Sequence, residues 1–134
     1  MKLIFCIDDK KGRLCFGRRQ SSDRALRAWV LRRAAQTRLW MSRYSAAQFE
    51  NENGIIVDDD YAQKAEEADY CFVEDKAWDI AKANEIILCR WNRHYPADVF
   101  WTTDLKAEGF SKCESTDIVG SSHEKITIEV YRKK

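Results

Sequence analysis

The stretch Arg38-Leu39-Trp40-Met41-Ser42-Arg43-Tyr44 decides how the rest of the chain reads. Leu39, Trp40 and Met41 form an apolar run without polar alternation, the pattern of a strand buried on both faces. The chain then turns through Ser42-Arg43 into a short helix containing Ala46, Ala47 and Phe49, with Ser45 as its predicted cap and the polar run Asn51-Glu52-Asn53-Gly54 as its predicted end. Outward from here the strand signal recurs in Leu3-Ile4-Phe5-Cys6-Ile7, Gly54-Ile55-Ile56-Val57 and Tyr70-Cys71-Phe72-Val73. Upstream, Ser21 or Ser22 is a natural N-cap with Asp23 in the first turn, and Leu26, Trp29, Val30 and Ala34 make one helical stripe. Downstream, Asp58-Asp59-Asp60 predicts the start of a helix over 61–68, and Glu74-Asp75 the start of a short helix carrying Trp78 and Ile80. Gly109-Phe110 to Cys113 and Ile126 to Arg132, on either side of the turn Gly120-Ser121-Ser122, read as an antiparallel hairpin. Alternating strands and helices followed by a hairpin define an α/β class: a mixed, mostly parallel sheet flanked by helices.

The 134 residues fit a single domain, 1–134, able to bury a real core. The sequence holds no apolar stretch long enough to cross a bilayer, and Met1-Lys2-Leu3 leads straight into a strand, so a cytoplasmic protein with no membrane partner is expected. Five cysteines form no C-x-x-C pair, and His94 and His123 are solitary, which disfavours a zinc site. Cys6, Cys71 and Cys89 lie in apolar runs and read as small core residues. Three consecutive aspartates at 58–60 cannot all face one ion. A Cys89–His94 nucleophile is disfavoured because neighbouring strand residues diverge, and the five tryptophans lie mainly in core segments rather than on base-stacking platforms.

A net charge of +1 conceals two opposed blocks. Between Lys10 and Arg43 eleven basic residues stand against Asp23 alone, a net of +10; between Glu50 and Asp79 eleven acidic residues face Lys64 and Lys76, a net of −9. The first block implies an anionic partner, or the two blocks meet within or between molecules. Arg24, Arg27, Arg32 and Arg33 read either as a solvated helix face or as an anion-binding surface, and no nucleic-acid motif accompanies them.

Leu39 to Ser45 resembles the strand, Met-Gly-Arg-aromatic-Thr turn of the dihydrofolate reductase family. Asp8-Asp9-Lys10-Lys11-Gly12 is similar to that family's strand, Asp, three residues and Gly. Ala83-Asn84-Glu85-Ile86-Ile87-Leu88-Cys89-Arg90-Trp91 resembles, without a gap, the strand Ala-Asp-Arg-Leu-Tyr-Leu-Thr-His-Ile, and Ala97-Asp98 sits where Gly-Asp follows. The resemblance runs in order through nearly the whole chain and implies a dihydrofolate-reductase-like sheet. It places Arg43 and Ser45 near the cofactor's second phosphate, and Cys89 where a threonine helps fix the pterin.

The departures fall on function. Phe16-Gly17-Arg18-Arg19 stands where a Leu-Pro-Trp segment would lie under the substrate. The family's proton-relaying carboxylate would fall near Leu26 or Arg27, leaving Asp23 as a capping residue. Glu74-Asp75-Lys76 replaces the glycine-rich turn that lets backbone N–H groups reach a diphosphate, and no glycine lies between Gly54 and Gly109. The expectation is a divergent protein without nicotinamide-dependent reduction and with no cofactor. It would bind a small anionic or heteroaromatic ligand, or a partner, through a basic cleft face containing Arg18, Arg19, Arg24, Arg27 and Cys89. The alternatives are an NADPH-dependent reductase of a pterin- or pyrimidine-like substrate, using Arg43 and Ser45, and a weak nucleic-acid-binding protein.

Overall fold

The structure, a computed structural model, describes residues 1–50 and 54–134. The apolar run at the start becomes β1 (Lys2–Ile7), the middle of a seven-stranded sheet. β6 (Tyr70–Phe72), β4 (Leu39–Met41) and β5 (Ile55–Val57) extend it on one side, all parallel to β1. On the other side β7 (Glu85–Arg90) is parallel, then β10 (Ile126–Lys133) and β9 (Phe110–Ile118) form the antiparallel hairpin. The order is therefore β5-β4-β6-β1-β7-β10-β9. A second sheet of β3 (Arg18–Arg19), β2 (Gly12–Cys15) and β8 (Val99–Phe100) stands beside it, built from a hairpin whose turn residues Phe16 and Gly17 have φ of 50° and 75°.

The absence of alternation in β1 has its explanation in packing on both faces. Ile4 joins Met41, Phe72, Ile87 and Ile128 under α1 (Arg24–Arg33) and α2 (Arg43–Gln48), which supply Leu26, Val30 and Ala46. Leu3, Phe5 and Ile7 face the opposite core with Tyr61, Trp101 and Leu105, where Trp78 stacks on Trp101 at 5.2 Å. Each fully buried aliphatic or aromatic side chain here contributes about 1.5–3 kcal/mol. Trp40, Trp91 and Trp101 are buried, in line with a core role. No helix among the described residues is long and apolar enough to cross a membrane.

Several local expectations are corrected. α1 is capped by Asp23 itself, whose carboxylate accepts from the backbone N–H groups of Ala25 and Leu26, rather than by Ser21 or Ser22. α2 begins one turn earlier than its predicted cap: Ser42 is the N-cap, accepting from Ser45 N, and Ser45 lies inside the helix. The helix expected over 61–68 shrinks to one 3₁₀ turn at Tyr61–Gln63, where Asp60 at the N-cap makes no capping bond and Asp58 accepts from Asp60 N and Lys64 Nζ. No helix starts at Glu74-Asp75. A 3₁₀ turn at Ile80–Lys82, capped by Asp79, is all that precedes β7, and Trp78 lies outside it. Asn51, Glu52 and Asn53, expected to end α2, lie outside the described residues.

Candidate functional site

In an open parallel sheet the natural ligand crevice lies beyond the carboxyl ends of the strands, where connections leave to opposite sides. Here β6 and β7 flank β1, so the crevice is framed by Ile7-Asp8, Val73-Glu74 and Trp91. Asp8, the acid of the Asp-x-x-x-Gly segment, is buried and structural. It accepts from Gly12 N at 2.7 Å, Lys10 N at 2.9 Å, Tyr95 N at 2.9 Å and Gln20 Nε2 at 3.1 Å, and ties three loops together. Burial acts to raise its pKa, yet these donors hold it below the ordinary carboxylate value. Gly12 is required there: a Cβ would meet Ala97 and Gln20 at 2.6 Å.

Glu74 occupies the middle of the crevice. Its carboxylate, 7% exposed, receives Arg19 Nε at 3.0 Å and Arg19 Nη2 at 3.0 Å, together with Ser45 Oγ at 2.8 Å and Gln48 Nε2 at 3.1 Å. Arg19 also lies 4.2 Å over the Tyr44 ring and donates to Tyr44 O, and Arg13 donates to Glu74 O. Burial works against the Arg19 cation, but Glu74 outweighs it and raises its pKa. What remains open are two small voids of about 10 Å³ each, one lined by Arg13, Arg19 and Gln20, the other by Asp23, Arg27 and Gln48, both touching Cys6, Ser21, Glu74 and Trp91. Each has room for about one water. Small-molecule pockets run to roughly 300–1,000 Å³.

The basic residues expected to share one face are thus divided. Arg19 and Arg27 reach the crevice. Arg18 is exposed on β3, and Arg24 is exposed at the start of α1 beside Arg27, above a surface groove of about 270 Å³ that runs to Gln48 and Phe49. Arg43 is exposed on α2 with its backbone N–H on Asp59, while Ser45 is buried against Glu74. Cys89 lies wholly inside the core on β7, level with Cys6 of β1; its thiol and burial push the Cys6 thiol well up from its ordinary value. It is Cys6 that lines the voids. The opposed charge blocks meet within the molecule at Arg19–Glu74 and where Arg38 pairs with Asp69 and Glu66. Arg33 is also paired, to Glu114 at 3.2 Å, and hydrogen-bonds Tyr70, whereas Arg32 is exposed.

Beside Glu74 lies a constellation that the sequence did not reveal. Asp23, beyond capping α1, accepts from Ser121 N at 3.0 Å and Ser122 N at 2.9 Å, and its Oδ2 lies 2.9 Å from His123 Nδ1. Burial acts to raise the Asp23 pKa, but these bonds prevail and hold it far below the ordinary carboxylate value. His123 Nε2 is 2.9 Å from Tyr95 Oη and 3.2 Å from Ser21 Oγ, and the imidazole stacks on Trp91 at 4.6 Å. Gly120 lets this loop close: a Cβ would lie 2.5 Å from His123 O and 2.6 Å from Asp23 Oδ2. His123 is separated from Asp23 by 100 residues, so no local spacing could have paired them. No group of three or more His, Cys, Asp or Glu suited to a metal ion is found among the described residues.

No protein-family model and no curated protein matches the sequence. Among solved structures, the chain is similar to dihydrofolate reductase from Enterococcus faecalis complexed with NADP(H) and RAB-propyl. The TM-score is 0.69 and the identity 10%, with 99% of this chain and 95% of that one covered. The strand order, the parallel core and the terminal hairpin together with this likeness establish that the chain has the dihydrofolate reductase fold.

Proposed function

We propose that this protein is a divergent form of the dihydrofolate reductase fold that does not carry out nicotinamide-dependent reduction, and that its crevice binds a small anionic or heteroaromatic ligand. The observation that carries the reading is the seat of Glu74: the Arg19 fork, the Ser45 hydroxyl and the Gln48 amide all converge on one internal carboxylate. A fork of this kind is the usual receptor for an external carboxylate or phosphate. The ligand takes the place of Glu74 when that side chain swings out, with Arg13 and Arg27 adding positive charge from the walls.

A nicotinamide dinucleotide does not fit the residues present. At the end of β6 the chain offers Glu74-Asp75-Lys76 where close backbone approach would need glycine, and no helix begins there to aim N–H groups at a diphosphate. Ser45, a candidate for the cofactor's phosphate, already donates to Glu74. The NADP(H) of the similar structure favours a second reading, an NADPH-dependent reductase of a pterin- or pyrimidine-like substrate. That reading requires Glu74 to leave and Arg43 to turn inward.

Titration with inorganic phosphate and with benzoate, followed by tryptophan fluorescence, tests the binding reading. Saturable quenching that disappears in Arg19→Ala is expected. Identical responses of the two proteins would remove the crevice as the binding site.

A further inference from the structure

We propose that Ser21, His123 and Asp23 form a nucleophilic triad in which Ser21 Oγ attacks carboxylic esters admitted to the crevice. This goes beyond ligand binding, although it uses the same crevice. The arrangement has the required relations of nucleophile to base at 3.2 Å and base to orienting carboxylate at 2.9 Å, and Ser21 lines both voids of about 10 Å³, which an ester enters only once Glu74 has swung out of the crevice. Asp23 is fully buried and takes four backbone N–H bonds, from Ala25, Leu26, Ser121 and Ser122, so it is fixed as an anion that can only accept. The Nδ1–H tautomer donates to this anion and presents Nε2 as the acceptor facing Ser21. Trp91 against the ring face holds its plane.

Arg13 and Arg19 line the same void as Ser21 together with Glu74, which holds the Arg19 fork; once Glu74 swings out, the two cations are left to face the oxyanion that develops. Attack forms the Ser21 Oγ–acyl bond as the Oγ proton passes to His123 Nε2. Collapse breaks the ester C–O bond and returns that proton to the leaving alkoxide. Water then repeats the sequence, giving its proton to Nε2, and releases the acid and free Ser21. Tyr95, whose hydroxyl lies 2.9 Å from Nε2, competes for the base and holds the resting state back.

An uncharged fluorophosphonate tests this without relying on recognition of an anion, so its result is separate from that of the anion titration. Ser21 Oγ displaces fluoride from phosphorus, and peptide mass spectrometry locates the adduct. Stoichiometric labelling at Ser21 is expected, absent in Ser21→Ala and unchanged in Ser22→Ala. His123→Gln should slow labelling about 100-fold, the lower range for loss of a general base. Tyr95→Phe should accelerate it by up to about tenfold, since it frees Nε2 of one neutral hydrogen bond. No adduct at Ser21, or an unchanged rate in a folded His123→Gln variant, would overturn the proposal and leave the cluster as a clamp between the C-terminal loop and α1. If His123→Gln does not fold, the Tyr95→Phe rate decides: acceleration supports the triad and an unchanged rate overturns it.

Discussion

Replacing Glu74 by Gln keeps the shape of the side chain and removes the charge that closes the crevice. One amide oxygen then replaces two carboxylate oxygens in front of the Arg19 fork, and the amide N–H₂ confronts donors from Ser45 and Gln48. Hydrogen bonds to a charged group contribute about 1.5–3 kcal/mol, and breaking a buried ion pair by removing one partner costs about 3–5 kcal/mol. Arg19 is 23% exposed and retains Tyr44 beneath it, so water and the ring offset part of that loss. A destabilisation of about 2–3 kcal/mol follows. For a chain of this length that lowers Tm by roughly 6–15 °C. Thermal melts in a low-salt buffer without multivalent anions would measure it. Phosphate should then restore the variant selectively, returning about 2.7 kcal/mol at one hundred times its dissociation constant. The wild type should gain far less, because Glu74 competes for the same donors. A variant as stable as the wild type, or equal gains with phosphate in both, would refute the idea that Glu74 stands in for a ligand anion.

Asp23 has its pKa depressed by folding, so the stability it contributes is present above the unfolded carboxylate value and is lost as pH falls below it towards the folded value. Asp8, Asp69 and Glu129 shift in the same direction, and the urea midpoint should stay flat from neutrality to about pH 5 and fall below about pH 4; a midpoint that rises in acid would contradict this. Gly120→Ala should cost about 1–3 kcal/mol by chemical denaturation, since the methyl group would press on His123 O and Asp23; a neutral effect would show the loop free to shift. Arg32→Ala, at an exposed and unpaired position among the described residues, should change stability by less than about 0.5 kcal/mol, whereas Arg33→Ala loses Glu114 and Tyr70 and should cost clearly more. If the exposed α1 arginines Arg24 and Arg32 bind polyanions, anisotropy with RNA should give binding that weakens steeply from low to physiological salt; binding that is absent or indifferent to salt would leave them as solvated charges.

The middle of the sheet was readable because its strands are buried on both faces, and that leaves continuous apolar runs such as Leu3 to Ile7 and Leu39 to Met41, whereas of the edge strands β5 is half-buried to exposed and β9 largely exposed. The connections were less so. Asp58-Asp59-Asp60 and Glu74-Asp75 have the composition of helix starts, yet tertiary partners claim the carboxylates: Lys64 takes Asp58, Arg19 takes Glu74 and Ser42 takes Asp75. The substitution of Glu74-Asp75 for a glycine-rich turn was legible, but not that Glu74 folds back as an internal counter-ion, because Arg19 lies 55 residues away. Asp23 was readable as a carboxylate at the start of α1, with the N-cap assigned to Ser21 or Ser22 instead of to Asp23 itself. Its second role depends on Ser121, Ser122 and His123, which the fold alone brings to it. Cys89 was matched to a ligand-facing threonine by its place in the strand, whereas its side chain points into the core and Cys6 faces the voids.

Isothermal calorimetry with NADPH, carried to millimolar ligand on the wild-type protein, tests the central claim most directly. With Glu74 seated on Arg19, Ser45 and Gln48, and with no glycine turn at the end of β6, no saturable heat is expected. Micromolar binding corresponds to about 8 kcal/mol, more than a crevice filled by its own carboxylate should yield to a diphosphate, and would contradict the account.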